Sequence, residues 1–209
     1  MDVSTTSLSF QEWIGLILSY GLGCFATGYY WIRWKKGLDI RQLGSGNVGA
    51  KNVGRILGKG GFVITFLGDF LKGILAVGLA RMLDFSLLAL IGCMLMVVIG
   101  HNWPIQLGFH GGKGISTSIG ALLIFDPLTL CIGLLVFLLF FFIIRRFTLC
   151  GLITFLFSPV ISWLNHTASA QWLGILVLAL IVLLSHHENI NSELHRSKPI
   201  TKVEGEKTF

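Results

Sequence analysis

The chain has 209 residues, of which 54% are hydrophobic and 12% charged, with a mean hydropathy of +0.78. That is too much apolar surface for a soluble domain of this length, so the bilayer must act as the solvent. The net charge of +6 is orientation information rather than a nucleic-acid footprint, because the cations fall in short loops between apolar stretches.

The fold class expected is an all-α, polytopic integral membrane protein with seven transmembrane helices. Helix 1 is expected over Trp13–Trp34, where Trp13–Ile32 gives twenty residues without a charge. At about 1.5 Å per residue such a stretch matches a hydrocarbon core of roughly 30 Å. Asp2 and Glu12 precede it and no Lys or Arg does, so no secretory signal peptide is expected. The loop that follows, to Lys59, carries seven cations against the single acid Asp39, which places it in the cytoplasm and the N-terminus outside. Helix 2 is expected over Gly61–Leu83, interrupted by Asp69 and Lys72, and helix 3 over Phe85–Ile99. The apolar stretch Ile115–Phe125 is short: its eleven residues cover only about 16 Å as a helix. Asp126 and Pro127 form an N-cap and first-turn pair for helix 5, which ends at Arg145 and Arg146. Helices 6 and 7 follow over Phe147–Leu164 and Trp172–Ser185. Fourteen of the sixteen Lys and Arg residues then lie inside, with Arg81 outside and Lys72 within a span. Residues 1–190 form one expected transmembrane domain and residues 191–209 a polar cytoplasmic tail.

Three polar clusters interrupt the apolar pattern, and this layout puts all of them on the cytoplasmic face. The first is GSGNVGAKNVGR, Gly44 to Arg55; the second is FHGGKG, Phe109 to Gly114; the third is HHENI, His186 to Ile190. The first contains a formal G-x-G-x-x-G match, but a basic loop precedes it where a dinucleotide fold needs a buried strand. The second has Gly114 where a P-loop needs Ser or Thr. What remains is the chemistry both motifs share. Glycines permit close backbone approach and an anion nest of N–H groups, while Ser45, Asn47, Asn52 and Arg55 add donors suited to phosphate oxygens. A soluble cationic connecting loop has the same composition, and three clusters on one face are what weigh against it. Asp69 and Lys72, three apart, share a helix face and can pair. Ionisable groups within a span mark function or orient the helix. His186 and Asn189 share a face at the end of helix 7; a histidine there can act as a general base near neutral pH, position a substrate while the substrate's own phosphate takes the proton, or form an interfacial polar cap, and the sequence leaves these open. The other histidines and the four cysteines show no metal-ligand spacing, so no metal and no cofactor are expected.

Together, GSGNVGAKN with Arg55, GDFLKG (Gly68–Gly73), GHNWP, FHGGKG and HHENI make the chain resemble the bacterial acyl-phosphate-dependent glycerol-3-phosphate acyltransferases, the PlsY type. The upstream TGY (Thr27–Tyr29) and KGLDIRQLGSGN also fit, and the resemblance runs from about Thr27 to Ile190. It implies transfer of a fatty acyl group from acyl phosphate to the 1-hydroxyl of glycerol 3-phosphate, giving lysophosphatidate and phosphate, the first step of phospholipid synthesis. It also implies a multi-pass protein of the bacterial cytoplasmic membrane with a cytoplasmic site. Ser45, Arg55, His186 and Asn189 are the catalytic residues so implied. Gly44, Gly46, Asn47, Asn52, Gly111, Gly112 and Lys113 are the substrate-binding set, with Asp69 and Lys72 as a supporting intramembrane pair. Four positions depart from the family pattern: Lys51 replaces Thr, Val48 replaces Pro, Gly54 replaces a larger apolar residue, and His110 replaces Lys.

Acyl phosphate is already activated, so the chemistry needs two phosphates held and an alcohol aimed at a carbonyl, without a serine nucleophile or metal. The expected partners are acyl phosphate, glycerol 3-phosphate and membrane lipid, with no nucleic acid and the protein a monomer. A transporter for a phosphorylated solute is the competing reading; it predicts internal repeats with paired interruptions, which the sequence lacks. Acyl-CoA or acyl-carrier-protein donors are the alternatives within the enzyme reading.

Overall fold

The computed structural model describes residues 7–165 and 170–187. Glu188, Asn189, the expected tail, His166 and His195 lie outside the described residues. The described chain forms eight α-helices: α1 (Phe10–Cys24), α2 (Thr27–Lys36), α3 (Ala50–Met82), α4 (Leu87–Asn102), α5 (Ile115–Phe125), α6 (Pro127–Ile144), α7 (Phe147–Asn165) and α8 (Gln171–Ser185). Counting α1 and α2 as one interrupted rod gives seven helical rods among the described residues. Among the described residues, four segments are long and apolar enough to cross a membrane: α3, α4 continued to Leu107, α6 and α7. α5 and α8 are shorter apolar helices.

Two expectations need correction. Helix 1 is not continuous from Trp13 to Trp34. Phe25 (ψ 99°) and Ala26 (ψ 89°) leave the helical region between α1 and α2, because the carbonyls of Gly23 and Phe25 turn to the Lys72 ammonium instead of to helical N–H groups. The cationic loop does not run to Lys59 either: α3 begins at Ala50, so Lys51, Asn52 and Arg55 are helical. Ala50 and Val53 bury one face of this first segment while Lys51 and Arg55 are exposed on another. The segment is set off from the span by Gly58, whose φ of 73° only glycine adopts without strain. Gly54 lets it fold back, since a Cβ there would lie 3.0 Å from that of Phe62.

Helix pairs cross at glycines. A Cβ on Gly73 would collide with the Thr117 carbonyl and one on Gly120 with the Phe70 carbonyl, so α3 and α5 meet backbone to backbone. Gly23 and Gly100 do the same for α1 and α4 against Val97 and Tyr20. Lipid tails are as apolar as leucine, so close approach of small residues is what holds such helices together. The main core joins Val77 of α3, Met94, Val97 and Val98 of α4, Ala121 of α5, Phe155 of α7 and Leu178 of α8. A second, smaller core of Ala26, Ile32, Ile40, Val48, Val53 and Leu107 lies under the first polar cluster and anchors it.

At the far end of α1, one carboxylate caps two helices. Glu12 accepts the Ser9 N–H at 2.7 Å, completing the α1 capping box, and its other oxygen accepts the Ser86 N–H at 2.8 Å at the start of α4. Asp126 caps α6 through the Thr129 N–H at 3.0 Å and reaches α7 by accepting the Ser162 hydroxyl at 3.1 Å. Pro159 inside α7 removes the donor to the Phe155 carbonyl, and the Ser158 hydroxyl supplies one at 2.8 Å. Replacing Glu12 by Ala unpairs the Ser9 and Ser86 N–H groups, while the Ser9 and Ser86 hydroxyls still cap α1 and α4. At about 1 kcal/mol per backbone N–H left without its partner, the expected outcome is a melting midpoint several degrees lower in detergent, measured by thermal unfolding of the purified protein, with turnover at 25 °C retained.

Candidate active site

The first cluster folds around a single side chain. Asn52, buried in the first turn of α3, accepts the Ser45 N–H at 3.0 Å and donates to the carbonyls of Leu43 at 2.9 Å and Asn47 at 3.0 Å. Both hydrogens of its amide are therefore used inside the loop. Gly44 and Gly46 take positive φ of 58° and 72° to make the turn, and Asn47 accepts the Gly49 N–H at 2.8 Å. The N–H groups of Ser45, Gly46 and Gly49 are all engaged within the loop, so the expected nest of free amides is not what these residues form. What the loop presents is side chains: Ser45 on the turn, and Lys51 with Arg55 one helical turn apart on the exposed face of α3.

The second cluster is held from below by the end of α4. Gly111 and Gly112 donate their N–H groups to the carbonyls of Asn102 and His101 at 3.0 and 2.9 Å. A Cβ on either glycine would collide with these same residues. The backbone thus lies flat on the α4 terminus and carries Lys113, half-buried, above it. Gly114 turns the chain into α5 with a φ of 83°.

Two links tie the clusters together, and a third ties the first cluster to α7. Arg41 is held by both Asp39 oxygens, its Nη2 2.6 Å from Oδ2, and donates through Nη1 to the Leu107 carbonyl at 2.9 Å, fastening the first loop to the approach of the second. The guanidinium holds the Asp39 carboxyl below its ordinary range. Asn102 donates to the Ser185 hydroxyl at 2.7 Å, joining the second cluster's support to the end of α8. Lys51 reaches the Thr148 hydroxyl of α7 at 2.9 Å.

His186 follows directly on α8, 3% exposed. Its Nδ1–H donates to the Val182 carbonyl at 2.8 Å, which leaves the lone pair on Nε2. Burial pushes its basicity below the ordinary histidine value; the Val182 bond opposes this, and the positive charges of Lys113 and Lys51 add to the lowering. The Asn102 bond to Ser185, the residue before His186, is the contact that joins the second cluster to the third. Asn189 cannot be placed among them, since it lies outside the described residues.

Of the platform beneath the site, the sequence indicates the Asp69 and Lys72 pair but not its partners. Asp69 and Lys72 lie 3.2 Å apart, but Lys72 also donates to the carbonyls of Gly23 and Phe25, at 2.9 Å each, and to His101 Nδ1 at 2.8 Å. Thr27 donates its hydroxyl to Asp69 at 3.1 Å. His101 and Asn102 were passed over because the helix was expected to stop at Ile99. The polar pair directly before Trp103-Pro104 was the available signal.

An all-helical bundle with basic, glycine-supported clusters at its helix ends and a buried histidine following α8 defines the chain as a polytopic membrane protein. Residues 13–196 match the family model described as glycerol-3-phosphate acyltransferase, and the chain belongs to that family. It is 42% identical over 179 residues to glycerol-3-phosphate acyltransferase 1 of Desulfitobacterium hafniense (86% of this chain, 89% of the relative). It is 39% identical over 187 residues to the protein of the same name from Bacillus anthracis (88% of this chain, 98% of the relative). The crystal structure of PlsY, an integral membrane glycerol 3-phosphate acyltransferase in its glycerol 3-phosphate form, superposes with a TM-score of 0.81 at 32% identity, covering 89% of this chain and 93% of that one. The lysophosphatidic acid form gives a TM-score of 0.78 at 29% identity, with the same coverage of both chains.

Substituting Asn52 by Ala unpairs two loop carbonyls and the Ser45 N–H together. Limited trypsin digestion of the variant is expected to cut at Arg41 or Lys51 at least several-fold faster than wild type, with the rest of the bundle resistant.

Proposed function

We propose that this protein transfers a fatty acyl group from acyl phosphate to the 1-hydroxyl of glycerol 3-phosphate, releasing lysophosphatidate and inorganic phosphate. The observation that carries the reading is His186: a buried imidazole, kept neutral by burial and by Lys113 and Lys51, with its acceptor nitrogen Nε2 left open by the Nδ1 bond to Val182. The family membership supports the acceptor substrate.

In this mechanism Ser45, Arg55 and Lys113 neutralise and orient the two phosphates, and Gly44, Gly46, Gly111 and Gly112 give the turns and close packing that set their height. Asn47 and Asn52 serve by shaping the first loop. His186 Nε2 accepts the hydrogen of the glycerol hydroxyl, with Asn189 assigned to hold the same substrate. As the hydroxyl oxygen bonds to the acyl carbon, the proton passes to Nε2 and the carbon–oxygen bond to phosphate breaks. Phosphate departs with its own electron pair and takes up the proton. The cation-rich ends of α2 and α3 support a cytoplasmic orientation for the site, the N-terminus lying outside. The acyl tail stays in lipid beside the bundle while the phosphates are gripped at the surface. A phosphorylated-solute transporter needs a midplane site in broken repeats, whereas these clusters gather at helix ends.

Two measurements test this. Lysophosphatidate formation by the purified protein is expected with palmitoyl phosphate and glycerol 3-phosphate, accompanied by phosphate release, but not with the acyl-CoA or acyl-carrier-protein donor, whose leaving group is a thiol; Arg55→Ala is expected to lose at least about a hundredfold in kcat/KM, equivalent to about 2.7 kcal/mol. Wild-type turnover by folded Arg55→Ala sinks the assignment. The second uses pH. Because the folded pKa of His186 lies below the free value near 6.5, the neutral form persists as pH falls through 6.5 and is lost only at the lower folded pKa. The acid limb of kcat is therefore expected below pH 6.5. Lys51→Ala removes the smallest cause of the lowering and is expected to move that limb slightly to higher pH; an acid limb that persists unchanged in His186→Gln excludes His186 as the titrating base.

A further inference from the structure

The buried polar network ends on a residue that no part of the mechanism uses. His101 is 3% exposed on α4 and lies between Lys72 and the second cluster. Its Nδ1 faces the Lys72 ammonium at 2.8 Å, and Asp69 is 3.6 Å away, too far for a hydrogen bond. An ammonium has no lone pair to give, so Nδ1 is the acceptor and the ring proton resides on Nε2. The Nε2 edge points at Gly112. A Cβ built there would collide with Nε2 and lie 2.6 Å from Cε1 and 2.8 Å from Cδ2, so the three nearest atoms all belong to this ring. The His101 carbonyl meanwhile accepts the Gly112 N–H at 2.9 Å. One residue therefore holds Gly112 both by its main chain and by its ring, and the next residue in the chain is Lys113.

We propose that His101 is a positioning residue for the acyl-phosphate site. Oriented by Lys72, its ring is the floor on which Gly112 rests, and that floor sets the height of the Lys113 ammonium against the donor phosphate. The proposal rests on the reading that Lys113 meets that phosphate. It gives the ion pair a purpose beyond helix packing: Asp69 and Lys72 fix the ring, and the ring fixes the loop. A displacement of about 1 Å in such a loop is enough to cost a large factor in rate or affinity.

The test is a double-mutant cycle on the full-length protein in detergent, read by phosphate release with palmitoyl phosphate as the varied substrate. His101→Asn puts an amide oxygen in the place of Nδ1, keeping the acceptor for Lys72, and removes the ring edge under Gly112. It is expected to melt within a few degrees of wild type, hold kcat within about twofold and raise the donor KM about tenfold. Gly112→Ala alone drives a methyl into the ring and raises the same KM at least as much. In the double variant the methyl occupies the vacated space, so KM is expected below the product of the two single effects by about tenfold. Additive effects, or a wild-type KM for His101→Asn, overturn the proposal. If His101→Asn shows no cooperative melt, His101→Gln decides, because its amide reaches the Nε2 position: near-normal KM supports the floor, and a tenfold rise refutes it. Lys113→Ala separates this inference from the reading beneath it. Unchanged donor KM in that variant removes the phosphate role of Lys113, whereas a raised KM with an additive cycle removes only the role of His101.

Discussion

The Lys72 ammonium is the point on which the arrangement depends. A cation of this kind inside an apolar bundle is costly unless its hydrogens are accepted, and here the acceptors are supplied by three different helices: the Gly23 and Phe25 carbonyls at the end of α1, Asp69 on its own helix, and His101 on α4. The break between α1 and α2 is the other side of that requirement. Where a helix stops within a span, its last carbonyls need donors, and Lys72 provides them without water. One side chain thus resolves two separate deficits, an unpaired charge and an unpaired helix end, each of which makes the other tolerable.

The site is assembled by exits from this packed interior. α4 leaves it with His101 and Asn102 exposing carbonyls that the Gly111-Gly112 backbone takes up, and Asn102 ties the same corner to Ser185 beside His186. α2 leaves it toward a small core of its own, where Ile32, Ile40, Val48 and Val53 hold the first loop down. The glycines in the clusters are therefore spent mainly on close approach and turns, and the positive charge is brought by side chains standing above them. This division suits the proposed reaction, in which phosphates are placed beside His186, because rigid backbone supports hold a set position better than a flexible collar of amides.

Lys51 ties the first cluster to α7. It stands on the same exposed face of α3 as Arg55, is steadied by Thr148 of α7, and lowers the basicity of His186 together with Lys113. The extra cation thus acts on the histidine as well as on any bound anion.

Much was legible in the sequence because it depends on composition and short spacing. Apolar runs give spans, since the bilayer enforces helices of a fixed length; the bounds of Ile115–Phe125 and the Asp126-Pro127 start of α6 follow from capping chemistry local to a few residues. The clusters and the Asp69 and Lys72 pair could be read the same way. The break after Cys24 could not, because nothing within α1 and α2 calls for it; its cause is a lysine 47 residues away from Phe25. The same holds for Asn52, whose amide reads as a phosphate donor in sequence and proves to be the loop's internal clasp, and for His101, whose partners lie on other helices. Sequence fixes what local hydrogen bonding and hydrophobic length dictate. Which polar groups are used up inside the fold, and which remain to meet a substrate, is decided only when distant segments compete for the same few donors and acceptors in a medium that offers no water.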